Sequence, residues 1–435
     1  MKHSKKNHTI FYPDYCMIVL NILVFIVLFL MIFVIYLKIK YPFWNAQPVL
    51  HTYDFFRKFK RKPFIVLPNN PIKNKFCNFE NITTKYYSDC SQDDKTNMEN
   101  ILQCYYIPNE SIIYTMDQQN MDAYLVGGTG PSMISFYYDN KYDFSGNIVG
   151  DIIVPDIVCS KIPVGFISSR YVHFYFLDGE LYNEYPLYFI DFISIHRERD
   201  FAKTCRQLIQ THEYNQRINN PDIKCSLIKK EIELFDGVVP LVKYNTTTYN
   251  LRNNQFPLLP EKFNIIRVNK ENIDILHDFI YTQTKTDARF FDVCIFTDVA
   301  CIIELIEHNL LYIYCLKRGE DIYGYYFLKD IKTAYENLAI ECGSDVFTLH
   351  CISSFSNTRD ERLFYLGFLH CIHDIVKYNR DYKMLLFDEI GHNVVLYKHW
   401  RKKYTPILTS PTAYYLFNLI YPQSPINPER VFILT

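Results

Sequence analysis

Three kinds of side chain in this 435-residue sequence have types and spacings that could do chemistry. Arg197, Arg199 and Lys203 gather where an alternating apolar segment gives way to a helical one. A loop entering a helix presents free N–H groups, so cations beside it make a cradle for a phosphate or pyrophosphate. A second loop of this kind carries Arg359 and Arg362 but adds Asp360 and Glu361, so the first is the one expected to hold a phosphorylated cofactor. His370, Cys371 and His373 would set two imidazoles on one helical segment, yet no third ligand is evident and a core helix accounts for them. Gly127-Gly-Thr-Gly130 has the glycines of a phosphate loop without the following Lys-Ser/Thr, which makes it a turn. Asp388-Glu389 at a strand end could act as an acid/base pair; capping a helix that begins near Gly391 is their simpler role. G-x-S-x-G, H-E-x-x-H and C-x-x-C do not occur.

The elements that must position these groups show in the hydrophobic pattern. Residues 63–125 are polar and irregular, with Pro68, Pro71 and Pro108. Residues 146–197 alternate as strands do, turning at Leu177-Asp-Gly-Glu180, and a helical stretch over 202–217 leads to a strand over 224–228. The same order returns later. A hairpin over 311–328, a strand over 347–353, a polar loop, a helix over 361–378 and a strand over 384–387 follow the Pro-rich Phe256-Pro-Leu-Leu-Pro260. A duplicated α+β unit is the economical reading, with halves at 38–260 and 261–435.

Ahead of both halves lies a polar stretch, 1–15, and then residues 16–37, uncharged and with Asn21 as the one strongly polar side chain. At ~1.5 Å per residue the run reaches about 33 Å, enough for a hydrocarbon core of ~30 Å. Lys38-Ile-Lys40 follows instead of the small residues of a cleavage site, so a single transmembrane helix is expected. More basic residues follow the span than precede it, which places the main domain on the cytoplasmic side. The 13 cysteines, scattered singly, read as reduced thiols and agree with that side. The run from Arg57 to Lys62 is either a solvated linker or a contact with anionic lipid. Near-equal counts of 46 basic and 47 acidic residues exclude a broad electrostatic hold on nucleic acid. The 37 Tyr and 34 Phe favour strands and aromatic-walled pockets.

Several separated segments resemble one family, the eukaryotic N-myristoyltransferases. Tyr41-Pro-Phe-Trp-Asn-Ala-Gln-Pro-Val49 is similar to the family's Y-x-F-W-x-T-Q-P-V. Val164-Gly-Phe-Ile-Ser168 and Ile190-Asp-Phe-Ile-Ser-Ile-His-Arg197 resemble its V-G-F-I-S and I-N-F-L-C-V-H-K at comparable separation, and Glu429-Arg-Val-Phe-Ile-Leu-Thr435 its short apolar C-terminus. The likeness spans about residue 40 to the end, and its first segment is quite specific. It implies a duplicated GNAT-like (acyl-CoA N-acyltransferase) fold and fatty acyl transfer from acyl-CoA, such as myristoyl-CoA, to an N-terminal glycine amine of a protein.

By that resemblance the backbone N–H groups of Phe192 and Ile193 would hold the thioester oxygen, and the terminal carboxylate of Thr435 would be the base. Burial of the apolar tail would lift an α-carboxyl above its usual ~3.3–3.7, toward an amine near ~7.7–8.0. Tyr41, Phe43 and Trp44 would line the acyl-CoA site, with Arg197, Arg199, Lys203 and Thr204 at its phosphates. Acyl-CoA is then a co-substrate, no cofactor is permanently bound, and no metal is expected. Departures exist. Asp200 and Ala202 stand where the family loop has basic residues, K-F-G-x-G-D-G is missing near Lys403-Tyr-Thr-Pro-Ile-Leu-Thr409, and Lys229 takes the place of a strand-end Thr. Two functions therefore stay open: a membrane-anchored acyltransferase, or a membrane-tethered protein of the same fold that binds a partner or lipid without the reaction. The composition suits a divergent source such as a large DNA virus or a parasite.

Overall fold

The apolar run becomes one helix, α1 (Pro13–Lys40), longer than the expected 16–37 at both ends. Side chains from residue 17 to 36 are exposed on every face. By length and composition it can cross a bilayer. The structure is a computed structural model describing residues 13–60, 62–107, 109, 112–149, 152–178, 181–251, 258–286, 289–335, 346–379 and 381–435. Positions 179–180 of the expected turn and 256–257 of the Pro-rich segment fall outside that description. The chain divides into Met1–Gln47, which holds α1 and a short 3-10 turn at Trp44–Ala46, and Pro48–Thr435.

The second unit opens with β1 (Phe64–Ile65), β2 (Ile82–Tyr86), α2 (Gln92–Tyr105), β3 (Ile112–Tyr114) and α3 (Gln118–Leu125). Three long strands come next, β4 (Met133–Val149), β5 (Ile152–Asp178) and β6 (Leu181–Ile195), then α4 (Phe201–Asn219), β7 (Cys225–Glu231) and β8 (Val242–Asn250). β9 (Asn264–Arg267), α5 (Asp274–Lys285), β10 (Val293–Thr297) and α6 (Val299–Glu307) precede the hairpin of β11 (Leu311–Arg318) and β12 (Asp321–Tyr335). The chain continues through β13 (Phe347–Ser356), α7 (Glu361–Tyr378), β14 (Tyr382–Asp388) and α8 (Asn393–Trp400) to β15 (Leu408–Phe417), β16 (Leu419–Ile420) and β17 (Val431–Leu434).

Fifteen strands share one mixed sheet whose main path is β17-β10-β5-β6-β7-β15-β8-β14-β13-β12-β11-β9. β6 and β7 are parallel, joined through α4; β13 and β14 are parallel, joined through α7, as a helical crossover requires. β10 pairs parallel with β17 and antiparallel with β5, and it is buried at all five positions because Cys294 and Phe296 pack into one apolar cluster and Val293 and Ile295 into another. α4 packs on β2, β4, β5 and β6 with an unusually polar face. Its buried His212 sits 2.7 Å from Ser135 Oγ and 2.9 Å from Ser169 Oγ, and burial holds the imidazole down at about 3, so it is neutral.

Residues 63–125, expected to be irregular, contain two helices. α2 begins with a capping box in which the Ser91 hydroxyl accepts from the Asp94 N–H and the Asp94 carboxylate accepts from the Ser91 N–H. Met98, Ile101 and Leu102 are buried at helical spacing. The charged residues around Asp93 hide this signal because they occupy the first turn, where anions favour the helix dipole.

Candidate active site

The site is built on a fault in the sheet. β7 pairs with β6 only from Leu187 to Ile190, and beyond Ile190 the two strands separate. There β6 carries a bulge against β5, where Ser168 faces Asp191 and Phe166 faces Ser194, so Phe192 and Ile193 oppose the single residue Ile167. Phe192 adopts φ +51°, a left-handed backbone rarely taken by a bulky residue. The turn it imposes frees the main chain of Asp191–Ile195 from β7. The Phe192 N–H is not idle: it donates to Asp191 Oδ1 at 3.0 Å.

The last strand runs toward the same region. Val431, Phe432, Ile433 and Leu434 are all buried, and Phe192, Phe432 and Leu434 belong to one apolar cluster. Thr435, half-buried, lines a small cavity with Thr297, Leu305, Leu311, Lys329 and Leu434. Lys329 Nζ donates to the Thr435 carbonyl oxygen at 3.4 Å and stands 4.6 Å above the Tyr124 ring. Burial pushes this ammonium down to about 8; Arg170 and Lys229 push the same way, while Asp191 and Cys301 oppose. Arg170, 2% exposed, donates through Nη1 to Thr297 Oγ1 at 3.0 Å, and its Nε lies 3.8 Å from Asp191 Oδ2. Among the described residues its Nε and Nη2 have no hydrogen-bond acceptor. The guanidinium instead faces the rings of Tyr124 and Phe189 at 5.4 and 5.2 Å.

On the far side of the fault, Lys229 projects from β7. Its Nζ lies 2.6 Å from Glu231 and 3.9 Å from Asp388. Burial would lower Lys229, but the two carboxylates outweigh it and hold the ammonium well above its ordinary range. Asp388 was expected to cap a helix; α8 instead begins after His392, and Asp388 turns inward. It accepts from Tyr244 at 3.0 Å and Thr246 at 2.6 Å, with His350 Nε2 3.0 Å away. Burial alone would raise Asp388, yet the charges of His350 and Lys229 and these hydrogen bonds hold it far below the usual carboxylate range. Tyr414, raised by burial, is drawn back by Lys229 and by a hydrogen bond with Thr435, which links this cluster to the chain's last residue.

The residues expected to form a phosphate cradle lie at the loop between β6 and α4. Asp200 caps α4, accepting from the Lys203 N–H at 3.0 Å, so a carboxylate already sits at the helix N-terminus. The N–H groups of Phe201 and Ala202 have no acceptor within the helix. Arg199 pairs with Asp139 and lies over the Tyr137 ring, turned toward β4. Arg197 and Lys203 are exposed and Thr204 is buried. Tyr41, Phe43 and Trp44 belong to the first unit, where Phe43 and Trp44 meet edge-on with centroids 4.9 Å apart. Gly127–Gly130 is a turn closed by Asp298, which accepts from the Thr129 N–H at 2.6 Å. Among the described residues no group of His, Cys, Asp and Glu could hold a metal.

Arg170, Asp191 and Lys329 escaped the sequence reading, although two of them leave a trace in it. Positions 166, 168, 170, 172, 174 and 176 of β5 all point inward, and Arg170 is the charge in that phase. Lys329 likewise follows the buried Tyr325 and Phe327 by two-residue steps.

Comparison with known proteins bears on this arrangement. No protein-family model and no curated protein sequence matches the chain. Among solved structures it matches Saccharomyces cerevisiae N-myristoyltransferase with bound myristoyl-CoA, at TM-score 0.63 and 13% identity, over 91% of this chain and 99% of that one. A second structure of that enzyme with myristoyl-CoA gives TM-score 0.63 and 12% identity, over 89% and 90%. A third, with myristoyl-CoA and inhibitors, gives 0.61 and 14%, over 91% and 95%. At these identities the likeness is one of fold: a mixed α+β fold resembling that of N-myristoyltransferase, preceded here by one helix long enough to span a membrane.

Proposed function

We propose that this chain is a membrane-anchored acyltransferase that moves a fatty acyl group from acyl-CoA to the N-terminal glycine amine of a protein. The observation that supports the reading is that Thr435 and Lys329 line one cavity, while Phe192, on the bulge where β6 leaves β7, shares an apolar cluster with Phe432 and Leu434. In the reaction the Thr435 carboxylate takes a proton from the acceptor ammonium, and the freed amine attacks the thioester carbon. A C–N bond forms, the carbonyl oxygen takes up negative charge against the N–H groups of Phe192 and Ile193, and collapse breaks the C–S bond, the sulfur taking the proton the nitrogen sheds and leaving as the CoA thiol. Lys329 holds the terminal oxygens in place. For the Phe192 N–H to serve, Asp191 must swing off it; Arg170 Nε, 3.8 Å from Asp191 Oδ2, is the partner that receives it. The cytoplasmic side, the duplicated halves and the roles of Tyr41, Phe43, Trp44, Arg197, Arg199, Lys203 and Thr204 at acyl-CoA belong to the same proposal.

A second reading is favoured by specific observations. Asp191 occupies the Phe192 N–H and Asp200 occupies the helix end, two carboxylates where developing oxyanion and pyrophosphate would sit. A tethered protein of this fold that binds a partner or lipid without catalysis would tolerate both. Thermal unfolding of the full chain with myristoyl-CoA, paired with a transfer assay on a glycine-terminated peptide, separates the readings. Ligand at a hundredfold its dissociation constant should stabilise the fold by about 2.7 kcal/mol. Stabilisation with transfer supports the enzyme, stabilisation without transfer supports the second reading, and no stabilisation rejects acyl-CoA altogether.

A further inference from the structure

Three phenylalanines stand out of the second unit close to its start. Phe55 is 65% exposed, Phe56 88% and Phe59 81%. Phe59 closes the 3-10 turn Arg57–Phe59 that Phe56 caps, three residues on, so those two rings share a face, and Phe55 stands just before them. Their exposure is enforced by ordered backbone. The Asp54 N–H bonds His51 O, the Arg57 N–H bonds Asp54 O and the Phe59 N–H bonds Phe56 O, while Thr52 is tied to Gly237 O. Arg57 locks the turn from the side, its Nη1 3.3 Å from Val49 O and 3.4 Å from Asp54. A turn this well fixed that still presents three aromatic rings outward is a surface built to be covered.

The covering partner is indicated by charge and by chain length. The sequence through the turn reads Phe55-Phe-Arg-Lys-Phe-Lys-Arg-Lys62, with exposed Lys60 and Lys62 immediately beside the rings. Aromatic rings flanked by cations suit the boundary between headgroups and acyl chains of an anionic leaflet. The bilayer-crossing helix ends at Lys40, about fifteen residues earlier, at most ~50 Å of extended chain. A bilayer is therefore always within reach. The geometry points to this turn as a second membrane contact, Phe55, Phe56 and Phe59 seated in the interface of an anionic leaflet and the lysines on its phosphates. Of the two readings open for the basic run, the rings select lipid over a solvated linker. The inference is independent of the acyl-transfer reading.

The test uses the full chain, one copy per nanodisc, with Phe56→Trp compared against the parent so that the added emission is isolated. In discs containing phosphatidylserine, the added Trp should emit at shorter wavelength and lose about half its intensity when the acyl chains carry bromine. Discs of phosphatidylcholine alone, and the Lys60→Glu/Lys62→Glu variant in serine discs, should both weaken that loss. Phe55→Trp gives the same readout should Phe56→Trp fold poorly. Leu258→Trp, at a position 89% exposed, should stay unquenched. Water-like, unquenched emission at 56 overturns the inference. So does a short-wavelength emission that bromine leaves untouched, which would mean protein covers the rings, or quenching at 258 equal to that at 56.

Discussion

β6 and β7 part after Ile190 and Ile228, and β13 and β14 part after Cys351 and Phe387. Each pair is joined by a loop and a helix capped by an aspartate. The second gap is filled by the chain itself. The His392 N–H bonds Ser354 O at 3.2 Å, the Ser356 N–H donates to His392 Nδ1 at 2.6 Å, and the buried Asn393 amide reaches Cys351 O at 3.1 Å and Asp388 O at 2.9 Å. In the first gap, among the described residues, no main-chain bond crosses from beyond Ile228 to β6 beyond Ile190. Phe192 takes a left-handed backbone there, at a cost of about 1–3 kcal/mol. A plugged split adds to stability and a split left open keeps polar backbone for a ligand, so a loss of function should map to one and a loss of folding to the other.

The sharpest way to break that contrast is to add one residue after Thr435. The new carboxylate no longer sits at the cavity beside Lys329, and losing a general base removes about a hundredfold or more of the transfer rate. Acyl-CoA affinity and melting temperature should hold. Undiminished turnover would sink Thr435 as the base and remove the functional claim on the open split. The mirror experiment is Asn393→Ala, which leaves Cys351 O and Asp388 O without their buried donor. It should destabilise by about 2 kcal/mol while leaving transfer per folded molecule intact. A drop in specific activity larger than the drop in folded fraction would mean that the plugged split also serves the site.

The sequence tells these two regions apart unevenly, for physical reasons. α7 was legible over 361–378 to its ends, because its apolar residues recur at helical spacing behind a capping Asp360. α4 was legible to within two residues despite a polar buried face. The bulge at Phe192 was not legible: a glycine would have marked a left-handed residue, and a phenylalanine does not. The plug was not legible either, since His392 and Asn393 find their partners Cys351, Ser354 and Ser356 on a strand well before them in sequence. Arg170 and Lys329 were legible in principle, as charges in the inward phase of β5 and β12, but their partners come from distant strands.

Lys329 sharpens the comparison through pH. Its ammonium is lowered to about 8 in the fold, against ~10.4 for an unperturbed lysine, so the folded state resists the proton that the unfolded chain accepts. The resulting penalty is full below pH 8 and is relieved as pH climbs from 8 toward ~10.4. Wild type should therefore gain on Lys329→Met across that window, by about 2–4 °C in melting temperature. Parallel curves for the two proteins would show that the open split does not hold a perturbed amine.

The smallest effect separates the two capping aspartates. Asp200 accepts from the Lys203 N–H and Asp360 from the Leu363 N–H, each at 3.0 Å, and both side chains belong to exposed residues. Replacing either by alanine loses one cap, about 1 kcal/mol of stability, and the two variants should melt alike. Only Asp200 stands at the helix end assigned to the phosphates of acyl-CoA, where an anion competes with an anion for the same N–H groups. Asp200→Ala should therefore bind acyl-CoA several-fold more tightly, on the order of threefold, and Asp360→Ala should not change binding. Calorimetric titration with myristoyl-CoA reads the difference directly. Equal affinities in the two variants would take the phosphates away from the α4 terminus, and with them the reason this split, rather than its plugged counterpart, was kept open.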